Sequence, residues 1–474
     1  MNTRKLILIF CCIAITKYSI ACSSIVLKNQ YSIFLAKNFD WTYGNGYLLK
    51  NIRGIQKRAF ITGAGNAANW ISKYGSVTFT QNGKEMPYGG MNEKGLAIEM
   101  LWLEYTEYYF NEITPYLNEL EWIQYQLDNY ASTDEVIENI NTLSIRPFKG
   151  KIHFIVADAN GKSIVVEHIG GKIKYEIKEA NHCQAITNYD ITTSADWYTK
   201  NTNATGNMTN ALYRYSLLQS DIATNSFASN LSAKTALDVL DNVAIKKGSF
   251  KTYWTIVYDI TKKEIHFKSA AAKNVKRLSF SAIDFSTTTQ AIDINTKTKD
   301  DISNSLIPYT EPMNTNLVST SFKLLGVERA DAAAISKNQF DFASTPDNSY
   351  TTNHITLKIM VTTDDSLKLG KIGIAIMDGE ESFKKFLPFR DAFHQISSAG
   401  STYTWLYYGL PKNNYAIAAV QDENNNKRPD FATEKYAFSN GKRLSGGSLP
   451  SFEDCKVIMQ EGVNEVRLLL QSEK

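Results

Sequence analysis

The stretch that decides the fold is ACSSIVLKNQYSIFLAKNFDW, residues 21–41. It contains two strand-like runs, residues 24–27 and 31–36, and the polar residues between them are typical of a turn. We therefore expect a β-hairpin that opens the folded part of the chain. Cys22 stands immediately before its first strand.

The residues before Cys22 have the features of a secretory leader. Arg4 and Lys5 supply a positive start, residues 6–15 form an apolar run, and Ser19-Ile20-Ala21 is a small-x-small cleavage pattern. Cleavage after Ala21 would make Cys22 the first residue of the mature chain. We therefore predict a signal peptide over residues 1–21 and a secreted or periplasmic protein.

Such cleavage would give Cys22 a thiol and a free α-amino group. An α-amine with a pKa of roughly 7.7 to 8 can accept a thiol proton near neutral pH, as in Thr–N-terminal-amine catalysis. This pairing predicts an amidase. Two alternatives stay open: Cys22 is an ordinary cysteine of a secreted protein, or it carries the lipid of a bacterial lipoprotein. Lipoprotein leaders usually have Leu where Ser19 stands.

Composition indicates a soluble protein of two or three domains. The chain has 474 residues, of which 43% are hydrophobic and 21% charged, and its net charge of +3 gives no basic stripe for nucleic acid or a membrane surface. No apolar run after Ile15 approaches the roughly 20 residues that cross a bilayer. The histidines lack HExxH spacing, so a catalytic zinc is not expected.

The cysteines do not form a disulfide framework. Cys11 and Cys12 belong to the leader, which leaves Cys22, Cys183 and Cys455 in the mature chain. An odd count, so widely spread, is more simply explained by a free reactive thiol.

From residue 23 to about 285 the chain alternates predicted strand pairs with helices. Asn160-Gly161 joins two apolar runs and is a strong hairpin signal, and residues 252–268 repeat the arrangement. Apolar spacing predicts helices over residues 116–130 and 233–243. Strand pairs interleaved with helices predict an α+β domain with layered packing.

The composition changes after this domain. From about residue 286 to residue 353 Ser, Thr, Asn and Asp dominate, which is typical of a linker, although apolar islands such as residues 322–325 leave open that the stretch completes the first domain. Strand alternation returns from residue 354 without convincing helices. We predict a first domain over residues 22–345 and a small β-sandwich-like domain over residues 354–474.

Five separated motifs resemble one family in order and approximate spacing. They are Cys22-Ser23-Ser24, Lys37-Asn38-Phe39-Asp40-Trp41, Gly89-Gly90-Met91-Asn92-Glu93-Lys94-Gly95-Leu96, Ile186-Thr187-Asn188 and Arg214-Tyr215. The family is that of the choloylglycine hydrolases, with penicillin V acylases and bile salt hydrolases among its members. The resemblance covers about residues 22–345 and implies the four-layer αββα fold of N-terminal nucleophile hydrolases.

The resemblance also implies roles for four residues. By motif position, Cys22 resembles the nucleophile of the family, and Asp40 resembles the carboxylate that orients the α-amine of the nucleophile. Asn188 resembles a side chain of the oxyanion hole, and Arg214 resembles the cation that completes the polar network. The residue types suit these roles, because a thiolate attacks and an amide donor preset at an oxyanion lowers a barrier by about 3 kcal/mol. Taken singly, Asp40 and Asn188 are more typical of turns, and Arg214 of a solvated helix.

Two positions depart from the family pattern. Lys37 stands where bile salt hydrolases have Arg, and a lysine keeps the charge but loses the planar fork that would support a thiolate. Trp102 stands where the family has Asn or Tyr, and its indole supplies a large apolar wall. Trp102 therefore favours a hydrophobic or aromatic acyl group as substrate. The aromatic residues 70–77 either wall the same acyl pocket or form a core strand and turn.

The second domain resembles a family of uncharacterised bacterial extracellular domains, on residues 415–426 and 450–454. Asp422, Asn424, Asn426 and Asp430 have the spacing of oxygen ligands in a calcium loop, although Lys427 stands where such loops have glycine. Calcium and a plain polar turn are both open alternatives here.

We therefore predict a secreted cysteine amidase that hydrolyses linear N-acyl amides through a thioester on Cys22, without a cofactor for catalysis. Its expected partner is a small-molecule substrate, and neither a nucleic acid partner nor a transmembrane segment is expected. Because relatives in the family it resembles are commonly tetramers, a homo-oligomer is an open alternative for its oligomeric state. Two other functions stay open: acyl transfer from the same thioester, and a non-catalytic lipid-anchored surface binding protein.

Overall fold

The computed structural model describes most of the chain beyond the leader. Its residues are 22–60, 67–108, 114–148, 150–180, 182–201, 205–224, 229–324, 329–342, 355–363, 370–386, 388, 390–396, 402–410, 413–424, 426, 429–445, 447–460 and 462–472. The predicted signal peptide, with Cys11 and Cys12, lies outside these residues. Within them, no helix is both long and apolar enough to cross a membrane.

The predicted N-terminal hairpin is confirmed and belongs to a seven-stranded sheet. From edge to edge the strands are β14 (Gln184–Ile186), β1 (Ser23–Lys28), β2 (Ile33–Trp41), β15 (Lys251–Asp259), β16 (Glu264–Ser269), β17 (Lys276–Ser279) and β19 (Asp300–Asp301). Strand β1 is buried on both faces. Ile25 and Leu27 pack toward helices, and Val26 packs toward a second sheet, because side chains alternate along a strand.

The second sheet has nine strands. In order they are β13 (Lys172–Lys178), β12 (Ser163–Ile169), β11 (Ile152–Ala157), β8 (Ala97–Trp102), β7 (Gly89–Asn92), β6 (Ser76–Thr80), β3 (Tyr47–Asn51), β18 (Gln290–Asp293) and β20 (Ile307–Pro308). Two short ribbons stand beside it, β4 (Gln56–Arg58) with β5 (Asn69–Ile71), and β9 (Tyr116–Leu117) with β10 (Ser144–Ile145). The hairpin predicted at Asn160-Gly161 is confirmed as the antiparallel pair β11 and β12.

Helices cover the outer faces of the two sheets. They are α1 (Glu119–Asn129), α2 (Thr133–Glu138), α3 (Ile191–Lys200), α4 (Ala211–Thr224), α5 (Ala233–Asn242), α6 (Glu311–Leu324) and α7 (Arg329–Phe342). Helices α4 and α5 pack on the seven-stranded sheet, and α1 packs on the nine-stranded sheet. One hydrophobic core lies between the sheets, so the predicted four-layer αββα arrangement is confirmed.

Helix α1 begins three residues later than its apolar spacing predicts. Asn118 caps it, because its side chain accepts hydrogen bonds from the N–H groups of Leu120 and Glu121. In turn, the carboxylate of Glu121 accepts the backbone N–H of Asn118. Tyr116 and Leu117 therefore lie in a strand instead. Helix α5 begins at its predicted residue, behind the cap Ser232.

The described residues of the polar stretch from about residue 286 to residue 342 are folded, so of the two alternatives the structure contains the one in which the stretch completes the first domain. Strand β18 pairs with β3 in the nine-stranded sheet, and helices α6 and α7 follow it. Its polar composition misled the prediction, because Val318 and Phe322 are buried in the core and polar groups such as Asn314 are buried with hydrogen-bond partners.

The C-terminal part consists of two sheets. One contains β24 (Thr402–Leu410), β21 (Ile355–Thr363) and β28 (Gly462–Leu470). The other contains β23 (Arg390–Ile396), β22 (Gly370–Met377), β25 (Asn414–Asp422) and β26 (Tyr436–Phe438), with β27 (Lys456–Ile458) paired to β25. Two short helices are α8 (Glu380–Lys384) and α9 (Phe452–Cys455). Both sheets contribute to one core, as in the predicted β-sandwich.

We predict that a chain ending at Pro346 folds cooperatively and keeps the activity implied by the family resemblance within a few-fold. A chain ending at Thr310 should melt at a much lower temperature, because burying a side chain such as Val318 or Phe322 contributes about 1.5–3 kcal/mol. Thermal unfolding and amidase assays of both chains check this. A folded but inactive chain ending at Pro346 would contradict the division into domains.

Candidate active site

Three neighbouring strands and one helix bring the four predicted site residues together. Cys22 immediately precedes β1, Asp40 lies near the end of β2, Asn188 follows β14, and Arg214 lies in the first turn of α4. Because β14, β1 and β2 are adjacent in the sheet, residues far apart in the sequence meet at the end of one strand.

Asn188 links Cys22 to Arg214 through hydrogen bonds to its side chain. Its Oδ1 accepts the backbone N–H of Cys22 at 2.7 Å and Nη2 of Arg214 at 2.9 Å. Two donors on one atom require an oxygen there, which fixes the orientation of the amide. The Nδ2 group donates one hydrogen to the carbonyl of Trp102 at 2.9 Å, and an amide nitrogen carries a second hydrogen.

Arg214 ties the helix to the first strand. Its side chain is fully buried, its Nε donates to Ser23 Oγ at 2.9 Å, and its Nη2 also donates to the carbonyl of Cys22 at 3.3 Å. The solvated helix residue considered from sequence is therefore not what the structure contains. The guanidinium instead holds both residues that start the hairpin.

Asp40 is buried with one carboxylate oxygen engaged. Its Oδ1 accepts the hydroxyl of Thr252 at 2.5 Å, whereas Oδ2 has no hydrogen-bond partner among the described residues. Burial raises the pKa of Asp40 to about 7, against the lowering effects of Arg214, the Thr252 hydrogen bond and Lys37. One oxygen of the carboxyl group is therefore available to a donor, and the charge of this group raises the pKa of the Cys22 thiol.

The Cys22 thiol is also buried. Its Sγ lies 3.8 Å from the carbonyl oxygen of Asp40. Burial raises the pKa of Cys22 to about 11, and the charge of Lys37 is the largest of the influences that oppose this rise. The thiol is therefore protonated at neutral pH.

Lys37 is paired across the two sheets. Its Nζ lies 2.7 Å from Oε2 of Glu99, both side chains are 1% exposed, and Tyr258 donates its hydroxyl to Glu99 Oε1 at 2.7 Å. Gly89, opposite Glu99 on the next strand, leaves space for the carboxylate, since an added Cβ would lie 2.2 Å from it. Sequence reasoning found Lys37 but missed Glu99, which no local motif marks.

A cavity of about 240 Å³ adjoins the thiol. Its lining is predominantly apolar and comprises Cys22, Phe39, Trp41, Asn82, Tyr88, Met100, Trp102, Glu119, Leu120, Phe148, Gly150 and Ile152. Trp102 therefore stands on the cavity wall where the sequence predicted an acyl contact. A larger groove of about 1090 Å³ surrounds Lys28 and Cys183 and is lined by none of the four predicted catalytic residues.

The aromatic residues 70–77 do not wall this cavity. Trp70 lies in β5 and donates its indole N–H to Asp128 at 2.7 Å, and residues 76–77 begin β6. Of the two interpretations, the core strand and turn is the one that the structure contains.

Phe148 is a wall residue of the cavity that the sequence did not indicate. Its N–H donates to the buried Glu119 at 2.6 Å.

The loop predicted to bind calcium is folded onto its own side chains. Asn424 and Asn426 both donate amide hydrogens to Asp430 Oδ2, at 2.5 and 2.8 Å, and the N–H of Asn426 donates to Asp422 at 3.1 Å. Lys427 lies outside the described residues. Calcium binding there stays a prediction.

Among the described residues, a different group of possible metal ligands lies close together: Asp259, Glu264 and His266. Glu264 is already paired with Arg277 at 2.6 Å and with His266 at 3.3 Å. The ion pair with Arg277 and the hydrogen bond with His266 thus already engage the Glu264 carboxylate.

Comparisons with known proteins identify relatives of both parts of the chain. A sequence profile of linear amide C–N hydrolases, choloylglycine hydrolase family, matches residues 22–293, more than half of the chain. A second profile, described as an uncharacterized protein conserved in bacteria, matches residues 364–467. A penicillin V acylase from Pectobacterium atrosepticum is 26% identical over 315 residues, which cover 56% of this chain and 83% of that protein.

A solved structure shares the fold of the N-terminal part. A penicillin V acylase from Agrobacterium tumefaciens superposes with a TM-score of 0.51 at 23% identity, over 61% of this chain and 98% of its own. A conjugated bile acid hydrolase from Clostridium perfringens has a TM-score of 0.48 at 16% identity, over 59% of this chain and 98% of its own.

We predict that Glu99→Gln weakens both the fold and the thiolate. Breaking a buried ion pair costs about 3–5 kcal/mol of unfolding free energy, because it leaves Lys37 as an uncompensated buried charge that Glu99 no longer holds in place. The Cys22 thiol then loses its main stabilising charge, so its pKa should rise. Chemical unfolding and the pH dependence of Cys22 alkylation, mapped by mass spectrometry, measure the two effects.

Glu85→Gln is the matched control for this experiment. Glu85 pairs with the buried Lys57 at 2.8 Å and lies in neither the cavity lining nor the contacts of Cys22. It should lower stability without moving the alkylation curve. An unchanged curve in Glu99→Gln would show that Glu99 serves stability alone.

Proposed function

The chain belongs to the choloylglycine hydrolase family of linear amide C–N hydrolases, and from this we propose that it hydrolyses N-acyl amides through a thioester on Cys22. The observation that carries the proposal is the convergence of Asp40, Asn188 and Arg214 on Cys22, which itself lines an apolar cavity. We propose these four as the catalytic group, with Lys37 in support.

The proposal requires a free α-amine on Cys22, released by cleavage after Ala21. An amine there has more hydrogens to donate than the peptide N–H, and Asp40 Oδ2 is a buried oxygen without a hydrogen-bond partner among the described residues. A protonated amine beside the thiol also favours the thiolate, because an opposite charge within about 4–6 Å stabilises the ionised form. Cleavage therefore lowers the thiol pKa from its unprocessed value.

The reaction then proceeds in two stages. The amine takes the thiol proton, the sulfur bonds to the acyl carbon, and the amine passes that proton to the leaving nitrogen as the C–N bond breaks. Water next adds to the thioester, releases the acid and returns the proton to sulfur. In both stages the second hydrogen on Asn188 Nδ2 is proposed to stabilise the oxyanion, a contribution of about 3 kcal/mol.

The acyl group is proposed to be apolar or aromatic. The cavity beside the thiol is lined by Phe39, Trp41, Tyr88, Met100 and Trp102 among others, and such walls bury apolar acyl groups better than hydroxylated ones. Similarity to a penicillin V acylase supports a phenoxyacetyl group as the first acyl group to assay.

We also propose that the enzyme is exported, either to the periplasm or out of the cell. The support is the leader pattern before Cys22, with Arg4, Lys5 and the apolar residues 6–15.

We predict that activity requires both the thiol and the free amine of Cys22. A chain that begins at Cys22 should be active, whereas one that retains Ala21 should be inactive unless it processes itself. Cys22→Ser should lose most activity, because a hydroxyl is the weaker nucleophile at neutral pH. Asp40→Ala and Asn188→Ala should impair turnover in chains that still melt cooperatively.

Mass spectrometry of the N-terminus and of the trapped thioester tests this directly. Recovery of the exported protein with Cys22 first and an acyl mass on that residue is the expected result. A diacylglyceryl group on Cys22, or full activity with its amine blocked, would overturn the mechanism and favour the lipid-anchored alternative. Acyl amides formed in place of free acids would favour acyl transfer.

A second prediction concerns Trp102. Trp102→Ala should lower kcat/KM more for a phenoxyacetyl amide than for an acetyl amide, by about 1–3 kcal/mol of discrimination, since only the larger group reaches the wall. Trp70→Phe is the control, because Trp70 bonds to Asp128 and is absent from the lining. Equal losses for both substrates would show that Trp102 is not an acyl contact.

A further inference from the structure

Helices α6 and α7 lie beyond the part of the chain that matches the family, which ends at residue 293. They contain none of the proposed catalytic residues. They nevertheless pack against two separate segments of the acyl cavity wall, one that includes Asn82 and one that includes Phe148.

The first contact is made by hydrogen bonds to Asn82. Ser321 of α6 donates its hydroxyl to Asn82 Oδ1 at 2.5 Å, and Gln339 of α7 donates its amide to the Asn82 carbonyl at 2.8 Å. All three side chains are buried. Tyr43 donates to Ser321 Oγ at 2.8 Å, so the serine hydroxyl is oriented toward Asn82. The helix pair thereby donates hydrogen bonds to both oxygen atoms of Asn82, the side-chain Oδ1 and the backbone carbonyl.

The turn after Asn82 is fitted to the same helices. Gly83 has a φ of +87°, and an added Cβ would lie 2.4 Å from Gln339 and 2.7 Å from both Asn314 and Val318. The N–H of Lys84 donates to Asn314 Oδ1 at 2.9 Å. Only glycine combines this backbone conformation with so close an approach. The position of Asn82 therefore depends on where α6 and α7 lie.

The second contact is an aromatic stack. Phe322 of α6 is fully buried, and its ring stacks on Phe148 with centroids 5.3 Å apart and an angle of 27° between planes. On its other side, Phe148 lines the cavity, and its N–H is held by Glu119. Phe322 thus stands directly behind a wall residue without being in the lining itself.

We propose that α6 and α7 are a specificity element that sets the size of acyl group the enzyme accepts, with Phe322 and Ser321 as positioning residues that act through Phe148 and Asn82. The inference rests on the proposed function, since it concerns the same cavity. Its physical basis is that a close-packed wall moves only when the residue behind it leaves space.

The test compares substrate profiles of Phe322→Ala and the unaltered enzyme. Straight-chain acyl amides of one chromogenic amine, from acetyl to dodecanoyl, are assayed for kcat and KM. Phe322→Ala lets Phe148 retreat, so kcat/KM for long chains relative to acetyl should rise about tenfold, while kcat for the acetyl amide stays within a few-fold. Phe322→Leu should give a smaller shift and keeps the test valid if the alanine variant fails to fold.

Met313→Ala is the matched control on the same helix. Met313 packs on a separate cluster with Leu49, Ala291 and Tyr309, away from the cavity. It should lower the melting temperature without changing the acyl profile. Ser321→Ala should change the profile in the same way as Phe322→Ala if Asn82 is held as described.

A binding measurement separates this inference from the proposed function. In a Cys22→Ala background, calorimetry with straight-chain carboxylic acids reports cavity size without turnover. The same preference for longer acids in Cys22→Ala/Phe322→Ala supports the inference even if no amide is hydrolysed. Parallel profiles with and without Phe322, in either assay, would overturn it while leaving the proposed hydrolysis untouched.

Discussion

The pair of hydrogen bonds that meets at Asn188 Oδ1 is the interaction on which the site depends. One comes from the backbone of Cys22 and the other from Arg214, so a single oxygen joins the start of β1, the end of β14 and helix α4. It also fixes which way the Asn188 amide faces. Without it, the position of the thiol relative to the amide group proposed to stabilise the oxyanion would not be defined.

Burial of charge is the second constraint. Asp40, Arg214, Lys37 and Glu99 are all withdrawn from water, where an isolated charge is costly, and each lies near an opposite charge. The pair Lys37–Glu99 crosses between the two sheets, so the proton balance at the thiol is linked to how the sheets pack. Lys37 supplies a positive charge there, the Glu99 carboxylate and the Tyr258 hydroxyl bind one another beside it, and Gly89 leaves space for the carboxylate.

The cavity is lined by two kinds of segment, those that contain or adjoin the family motifs and those that do not. The walls at Phe39, Trp41 and Trp102 come from the strands that bear or adjoin the family motifs. Asn82 and Phe148 come from turns and loops, and they are held from behind by helices outside the family match. The proposed catalytic group and the outer supports of the cavity therefore share no residues, which is why we propose that the selectivity of the cavity can change without a change in the reaction.

Period-two alternation in the sequence predicted the α+β class and the opening hairpin, because alternation is a local signal. The αββα fold and the grouping of Cys22, Asp40, Asn188 and Arg214 were implied by the resemblance that the ordered motifs carry. From residue 286 the polar composition favoured a linker, whereas the structure contains the other open alternative, a stretch that completes the first domain with helix α6. At the start of α1 a capping box overrode the apolar spacing. Glu99, Asn82, Phe148 and Phe322 were decided only by the tertiary structure. Their partners lie on other strands and helices, and a contact across the core between residues far apart in the chain leaves no pattern in the sequence around either residue.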